Sequence, residues 1–283
     1  MNYSLMLSWT NVPVFICNKH YLICEFWEDN SVPELIGSFN SPFFIFLIIA
    51  AYIPGVLFVG PALMSNKKPL DVGGVMKWYN YMNIAASISV FATGFYYSRW
   101  TYDCWFCQDF RDEVPFEARL FVGVLYTLLK LFDLLDTIFF VVRKKYCQIT
   151  ALHVIHHSIM PFMAYFGLKM LFNPSVALVP ILNSFIHTIM YYYYHLASQG
   201  HRVWWKQYIT LLQIVQFAIC WIHGFHTLFI ENCSLPPWFA SLQMLEATYF
   251  ILSFSRFYFK SYKKSHKELD FNNNRQELLK KKG

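Results

Sequence analysis

Residues 43–63 read FFIFLIIAAYIPGVLFVGPAL, an apolar stretch without a single charged side chain. A helix that crosses a bilayer needs about 20 mainly apolar residues to cover about 30 Å of hydrocarbon. The stretch is long enough for one transmembrane helix, and it predicts a membrane protein rather than a soluble domain.

Six further stretches of comparable length and character follow along the chain. The composition agrees, because 56% of the residues are hydrophobic and 14% are charged, whereas a soluble domain carries about 25% charged residues. The pattern predicts an all-α integral membrane protein with seven transmembrane helices. The predicted spans are 43–63, 78–97, 120–142, 151–168, 176–196, 208–230 and 238–259.

Lysine and arginine are unequally divided between the two sides of this seven-helix arrangement. Residues 67–68, 143–145 and the tail 260–283 place most of them on one side. Because positive loops stay in the cytosol, we expect a cytosolic C-terminus and a lumenal N-terminal segment, 1–42, that is not cleaved. Membrane orientation explains the net charge of +6 better than nucleic-acid binding does.

The basic tail ends Lys280-Lys281-Lys282-Gly283. This ending resembles the dilysine retrieval signal of endoplasmic reticulum membrane proteins, an address read by a receptor. We therefore expect a multi-pass protein of the endoplasmic reticulum membrane, with the membrane domain at 43–259 and the cytosolic tail at 260–283.

Ionisable residues within spans are costly and usually mark a functional path. The third span carries Lys130, Asp133 and Asp136 at steps of three, so that Lys130 and Asp133 can pair. An ion pair with a purely structural role is the alternative reading for Asp133.

The fourth and fifth spans carry histidines at helical spacing. His153, His156 and His157 lie along one stripe of a helix, because positions three and four apart are neighbours. A single core histidine would need no explanation, but three on one stripe predict a common cavity. In the fifth span the same spacing aligns a further polar set: Asn183, His187, Tyr191 and Tyr194. Gln213 in the sixth span either faces this cavity or makes interhelical hydrogen bonds.

Together these motifs resemble the ELO family, the elongases of very long chain fatty acids that act as 3-oxoacyl-CoA synthases. The resemblance runs from about Gly60 to the C-terminus. It rests on the order of these groups: 67–69, 130–137, 153–157, 183–194, 204–210, Gln213 and Gln216.

Three positions depart from the family pattern. Asp133 stands where a glutamate is usual, and Ile155 and Ala151 replace aromatic residues. A shorter acid can still pair with Lys130, so these changes are expected to affect packing and chain-length preference more than the chemistry.

The resemblance implies seven helices, six of which form an inverted barrel around an acyl-chain tunnel. It also implies a lumenal disulfide, for which Cys233 has two candidate partners, Cys104 and Cys107. The expected partners are acyl-CoA, malonyl-CoA, membrane lipid, a second copy of the chain and other enzymes of the elongation cycle; no metal or other cofactor is expected.

A neutral imidazole buried in an apolar tunnel is a competent nucleophile toward a thioester. We expect His156 to form an acyl-imidazole and His187, which the resemblance places opposite the stripe, to bind the malonyl unit. His153 and His157 would orient the reacting rings, with Asp136 and Asn183 fixing their tautomers.

The remaining polar groups are expected to contact the substrates. The CoA phosphates need cations, for which Lys130, Arg143, Lys144 and Lys206 are candidates. Asp133, Tyr191, Tyr194 and Gln213 complete the predicted substrate-binding set.

Two other classes of protein share parts of this pattern. Membrane di-iron desaturases and hydroxylases also use His-x-x-His-His boxes, but they need about eight histidines in three boxes, and only one complete box is present here. A transporter with a proton relay would also place Lys, Asp and His within spans. It predicts transport without release of CoA.

Overall fold

A computed structural model describes residues 42–99, 101–107, 114–170, 173–231, 233 and 235–263. Most of the predicted N-terminal segment and of the C-terminal tail, including Lys280 to Gly283, lies outside these residues. The described parts of the chain are helical and contain no strand.

Every predicted span coincides with helix. The helices are α1 (Pro42–Pro54), α2 (Gly60–Met64), α3 (Gly73–Tyr97), α4 (Tyr102–Phe106), α5 (Phe116–Phe132), α6 (Leu134–Val142), α7 (Ala151–Lys169), α8 (Leu178–Ser198), α9 (Lys206–Thr227) and α10 (Pro237–Tyr258). A π-helical turn, Gly55–Val59, joins α1 to α2, and a second one, Phe259–Lys263, follows α10. Short 3-10 turns occupy Tyr146–Gln148 and Pro174–Ala177.

Three helical segments are long and apolar enough by themselves to cross a bilayer: Pro42–Met64, Ser175–Ser198 and Lys206–Thr227. The other predicted spans are less apolar or are interrupted, because they carry residues such as Asn83, His156 and Gln243, or break at Asp133. A multi-pass membrane protein follows from these helices, and the full count of seven crossings stays a prediction.

The long helices pack in a cyclic order. Helix α3 packs along α8, α8 against α9, and α9 against α10. Side chains of α10 meet α7, which packs on α5, and α5 returns to α3. Helices α1 and α2 pack against α7 and α6. This order is compatible with the six-helix barrel, which itself stays a prediction.

A disulfide joins the region around α4 to the loop before α10. Of the two pairings that the sequence left open, the structure has Cys107–Cys233. Cys104 is instead a buried free thiol, and burial raises its pKa to about 12. Its carbonyl oxygen accepts hydrogen bonds from Ser175 Oγ at 3.1 Å and from His223 Nε2 at 3.0 Å, so α4 is tied to α9 as well.

Candidate active site

The histidine stripe begins in the first turn of α7. Thr150 caps this helix, and its side chain accepts a hydrogen bond from the backbone N–H of His153 at 3.2 Å. Such a cap satisfies a backbone donor that the helix leaves free. It also fixes the helical phase, which directs His153, His156 and His157 to one cavity.

His153 is held by a buried chain of hydroxyl groups. Its Nε2 lies 2.8 Å from Thr137 Oγ1, which lies 2.6 Å from the hydroxyl of Tyr52 on α1. The His153 and His157 rings are 4.2 Å apart between centroids. The first helix therefore supports the stripe although it contributes nothing to the cavity lining.

His156 is surrounded by aromatic rings. The ring centroids of Phe250, Phe254 and Phe217 lie 4.8, 6.1 and 6.3 Å from that of His156. Within the described part of the chain its Nδ1 is buried without a hydrogen-bond partner. The other nitrogen, Nε2, is the one left to face the cavity that the ring lines.

Lys130, Asp133 and His187 form a buried charged cluster behind the cavity wall. Lys130 Nζ lies 2.7 Å from an Asp133 carboxylate oxygen and 3.4 Å from His187 Nδ1. The same ring nitrogen lies 3.6 Å from that Asp133 oxygen. Because an ammonium group only donates hydrogen bonds, Nδ1 of His187 is the acceptor in the tautomer that pairs with Lys130. The proton of the neutral ring then sits on Nε2.

Tyr191 connects this cluster to Asp136. Its hydroxyl group donates to Asp133 at 2.7 Å and lies 3.0 Å from an Asp136 oxygen. The hydroxyl of Tyr79 on α3 lies 3.2 Å from it. Four helices thus meet in one hydrogen-bonded network, which pairs most of the polar groups that it buries.

The cavity has a volume of about 590 Å³, which is within the range of ligand sites in proteins. Nine of the predicted residues lie on its wall. Two of them are basic, namely Arg143 directly after α6 and Lys206 at the start of α9. The other seven come from α6, α7, α8 and α9, and they are Asp136, His153, His156, His157, His187, Tyr194 and Gln213.

Five predicted residues do not lie on this wall. Lys130, Asp133 and Tyr191 are buried in the network behind it, in contact with His187 and Asp136, and their predicted contact with a substrate stays a prediction. Asn183 is buried one helical turn from His187. Lys144 donates to the carbonyl oxygen of Ser65 at 3.0 Å, which directs it away from the cavity.

The expected partners of Asp136 and Asn183 also differ. Both were expected to fix imidazole tautomers, but Asp136 accepts from Tyr191 and Asn183 Oδ1 accepts from Tyr126 at 3.3 Å. Among the described histidines, His153 is instead fixed by Thr137 and His187 by Lys130.

A second, smaller cavity of about 90 Å³ lies among α3, α5, α7, α8 and α10. Its wall is largely apolar and includes Met160, one helical turn beyond His156. Two polar side chains of α10, Gln243 and Glu246, also line it. The sequence interpretation overlooked Glu246, although an acid within a predicted span is itself a signal of function.

Two more contributors could be found only in three dimensions. Thr137 directly follows Asp136 in a motif already singled out, but its partner Tyr52 is 85 residues away. Tyr79 is one of several tyrosines in α3 and carries no distinguishing pattern. In the described chain, no three His, Cys, Asp or Glu side chains converge as a metal site would require.

Comparisons with known proteins agree with the geometry. The profile of the GNS1/SUR4 family (ELO) matches residues 38–269. Very long chain fatty acid elongase 1 of Mus musculus is 33% identical over 234 residues, which cover 80% of this chain and 83% of the relative. Very long chain fatty acid elongase 7 of Rattus norvegicus is 34% identical over 236 residues, covering 81% and 84%. Very long chain fatty acid elongase 7 of Drosophila melanogaster is 35% identical over 237 residues, covering 80% and 70%. Because the family profile spans most of the chain and the relatives are matched over most of their length, this protein is a member of the ELO family of fatty acid elongases.

Proposed function

We propose that the protein is a 3-oxoacyl-CoA synthase that condenses a long-chain acyl-CoA with malonyl-CoA. The observation that carries the proposal is the presence of His156 and His187 on the wall of one cavity, each with Nε2 free of protein partners in the described residues. The reaction needs a nucleophile for one thioester and a hydrogen-bond donor for the other, and these two rings can supply them.

In the first half-reaction, Nε2 of His156 attacks the thioester carbonyl carbon of acyl-CoA. A C–N bond forms, the C–S bond breaks, and CoA leaves as a thiolate that takes up a proton. The product is an acyl-imidazole. The aromatic rings around His156 exclude water, which would otherwise hydrolyse it.

In the second half-reaction, malonyl-CoA loses carbon dioxide and the electrons of that C–C bond form an enolate. The enolate carbon attacks the acyl carbon, the C–N bond breaks, and the His156 ring leaves with the bonding electrons and takes up a proton from solvent. His187 carries its proton on Nε2 because Lys130 occupies Nδ1. It can therefore donate a hydrogen bond to the enolate oxygen as negative charge develops there.

Binding of the two CoA groups would use the basic end of the cavity. Arg143 and Lys206 line it, and cations of this kind bind phosphates. Arg143 follows α6 and contacts Met76 near the start of α3, whereas Cys107 comes after the other end of α3. Lys206 begins α9, and Cys233 comes after the end of α9. Arg143 and Lys206 therefore lie at the opposite end of the bundle from the disulfide. This polarity supports a lumenal disulfide and cytosolic CoA binding in the endoplasmic reticulum membrane, as the positive loops predict.

The test is incubation of the purified protein with a panel of acyl-CoAs and labelled malonyl-CoA. We expect labelled 3-oxoacyl-CoA, and, when malonyl-CoA is left out, an increase in intact mass equal to one acyl group. His156→Ala should abolish both signals. His201→Ala, which changes an exposed loop residue, serves as the matched control.

A folded His156→Ala protein that still extends acyl-CoA would exclude His156 as the nucleophile. Extension by the wild type without any acyl adduct would exclude the covalent route while leaving the condensation itself in place.

A further inference from the structure

The second cavity lies beyond the histidine stripe, toward the other end of the bundle, and has a separate set of lining residues. On α7, Met160 and Ala164 line it one and two turns beyond His156. On α10, Phe250 packs against His156 at 4.8 Å between ring centroids, and Glu246 lines the cavity one turn further on. An acyl chain attached to His156 and directed along α7 and α10, away from the basic residues, would point toward this cavity.

Most of the wall of this cavity is apolar, and Glu246 and Gln243 are the polar side chains that α10 contributes to it. They are three residues apart on α10 and so share one face. Among the described residues, none forms a hydrogen bond or an ion pair with the carboxyl group of Glu246. Gln243 Nε2 donates to the carbonyl oxygen of Cys220 at 2.9 Å, while its Oε1 has no partner in the described chain.

Two neighbouring polar groups, those of Tyr126 and His223, are already committed elsewhere. The Tyr126 hydroxyl group lines the cavity but donates to Asn183 at 3.3 Å. The His223 ring is fixed between Cys104 and Gln243. Polar groups that face an apolar cavity without partners are costly, unless a ligand supplies the missing hydrogen bonds.

The helix fixes how far from the reaction centre such a ligand group must lie. With a rise of about 1.5 Å per residue, Glu246 lies about 6 Å and Gln243 about 10 Å along α10 from Phe250. An extended alkyl chain with C–C bonds of about 1.5 Å advances roughly 1.3 Å per carbon. The two side chains therefore correspond to positions about five to eight carbons beyond the acyl carbonyl.

We propose that Glu246 and Gln243 recognise an oxygen substituent, above all a hydroxyl group, on the acyl chain at these positions. A hydroxyl group both donates and accepts, so it can satisfy the Glu246 carboxyl group and Gln243 Oε1 together. The substrate class would be mid-chain hydroxyacyl-CoA. This inference rests on the proposed condensation, because it needs the acyl chain to be attached at His156.

The test compares three acyl-CoAs in malonyl-CoA-dependent extension: hexadecanoyl-CoA, 8-hydroxyhexadecanoyl-CoA and 16-hydroxyhexadecanoyl-CoA. For the wild type we expect kcat/KM for the 8-hydroxy substrate to exceed that for the unsubstituted one at least tenfold, with no such gain for the 16-hydroxy substrate. Glu246→Leu should remove this preference, and Glu246→Gln, which keeps a hydrogen-bonding side chain, should retain much of it. Leu245→Ala is the matched control, because Leu245 is adjacent on α10 and 70% exposed.

Equal kcat/KM for all three substrates in the wild type would overturn the inference, whatever the variants do, and would leave the condensation intact. A preference for the 16-hydroxy substrate alone would also overturn it. If the folded wild type extends none of the three, the proposed condensation fails first.

Discussion

Tyr191 is the residue on which the buried network depends. Its single hydroxyl group contacts Asp133 at 2.7 Å and Asp136 at 3.0 Å, and no water-exposed surface remains on its side chain. Asp133 in turn pairs with Lys130, which fixes His187. The position of His187 is therefore linked to a tyrosine that does not itself line the cavity.

We expect Tyr191→Phe to lower kcat for malonyl-CoA-dependent extension about tenfold or more, because Asp133 loses a hydrogen bond and Asp136 loses its contact with the same hydroxyl group. The free energy of unfolding should fall by about 1–3 kcal/mol. Extension assays and thermal unfolding in detergent measure the two effects. Tyr192→Phe is the matched control, since Tyr192 is the next residue and 51% exposed. Unchanged activity in Tyr191→Phe would show that the network does not position His187.

The chemistry-bearing residues were predictable because spacing along a helix determines which side chains share a face. The contacts between helices were not, because partners such as Thr137 and Tyr52 are separated by 85 residues. The departures from the family pattern also become understandable. Asp133 still reaches Lys130 at 2.7 Å, while Ala151 and Ile155 are exposed, away from the cavity wall.

At the scale of helices, α3 packs closely against α8 at a glycine. A Cβ atom added at Gly94 would lie 2.8 Å from Ile181 Cγ1, closer than packed carbon atoms tolerate. Gly94 also lines the smaller cavity. The absence of a side chain there serves helix packing and cavity space at once.

Gly94→Ala should therefore reduce the free energy of unfolding by about 1–3 kcal/mol, the usual cost of overpacking. The melting temperature in detergent is the measurement. Gly74→Ala is the control, because nothing lies within 4 Å of a Cβ atom at Gly74. A stability equal to that of the control would mean that α3 and α8 can separate without cost.

Hydrophobic length predicted where the helices lie but not where they break. The third predicted span, 120–142, is two helices that meet at Asp133, where the backbone N–H of Asp136 bonds to the Asp133 carbonyl oxygen at 3.2 Å. Asp133 makes contacts with Lys130 and Tyr191 at this point. An interruption that depends on such tertiary contacts leaves no mark in an apolar pattern.

For the whole molecule, the sequence patterns predicted two chemically different ends of the bundle, and the structure shows the cavities between the helices. Loop charges and cysteine positions predicted that the basic loops and the disulfide lie at different ends of the helices. Arg143 and Lys206 lie at the opposite end of the bundle from the disulfide. The depth of the cavities and the polar residues in the smaller one depend on how helices far apart in the chain pack together. Glu246 is an example. An acid within a span signals function, but the sequence does not indicate which cavity or side chains it faces.

The disulfide offers the clearest test at this scale. Cys107–Cys233 closes a loop with a sequence separation of 126, for which chain entropy alone predicts a stabilisation of about 2–5 kcal/mol. Helices that stay inserted already restrict the unfolded chain, so we expect Cys107→Ser to cost about 2 kcal/mol, seen as a lower melting temperature in detergent. Reductant should lower the melting temperature of the wild type to the same value. Cys147→Ser, which changes an exposed free thiol, should leave the melting temperature unchanged. Extension activity below the melting temperature should persist, because the histidine stripe of α7 begins at the other end of the bundle. Loss of activity in a folded Cys107→Ser protein would show that the two ends are coupled.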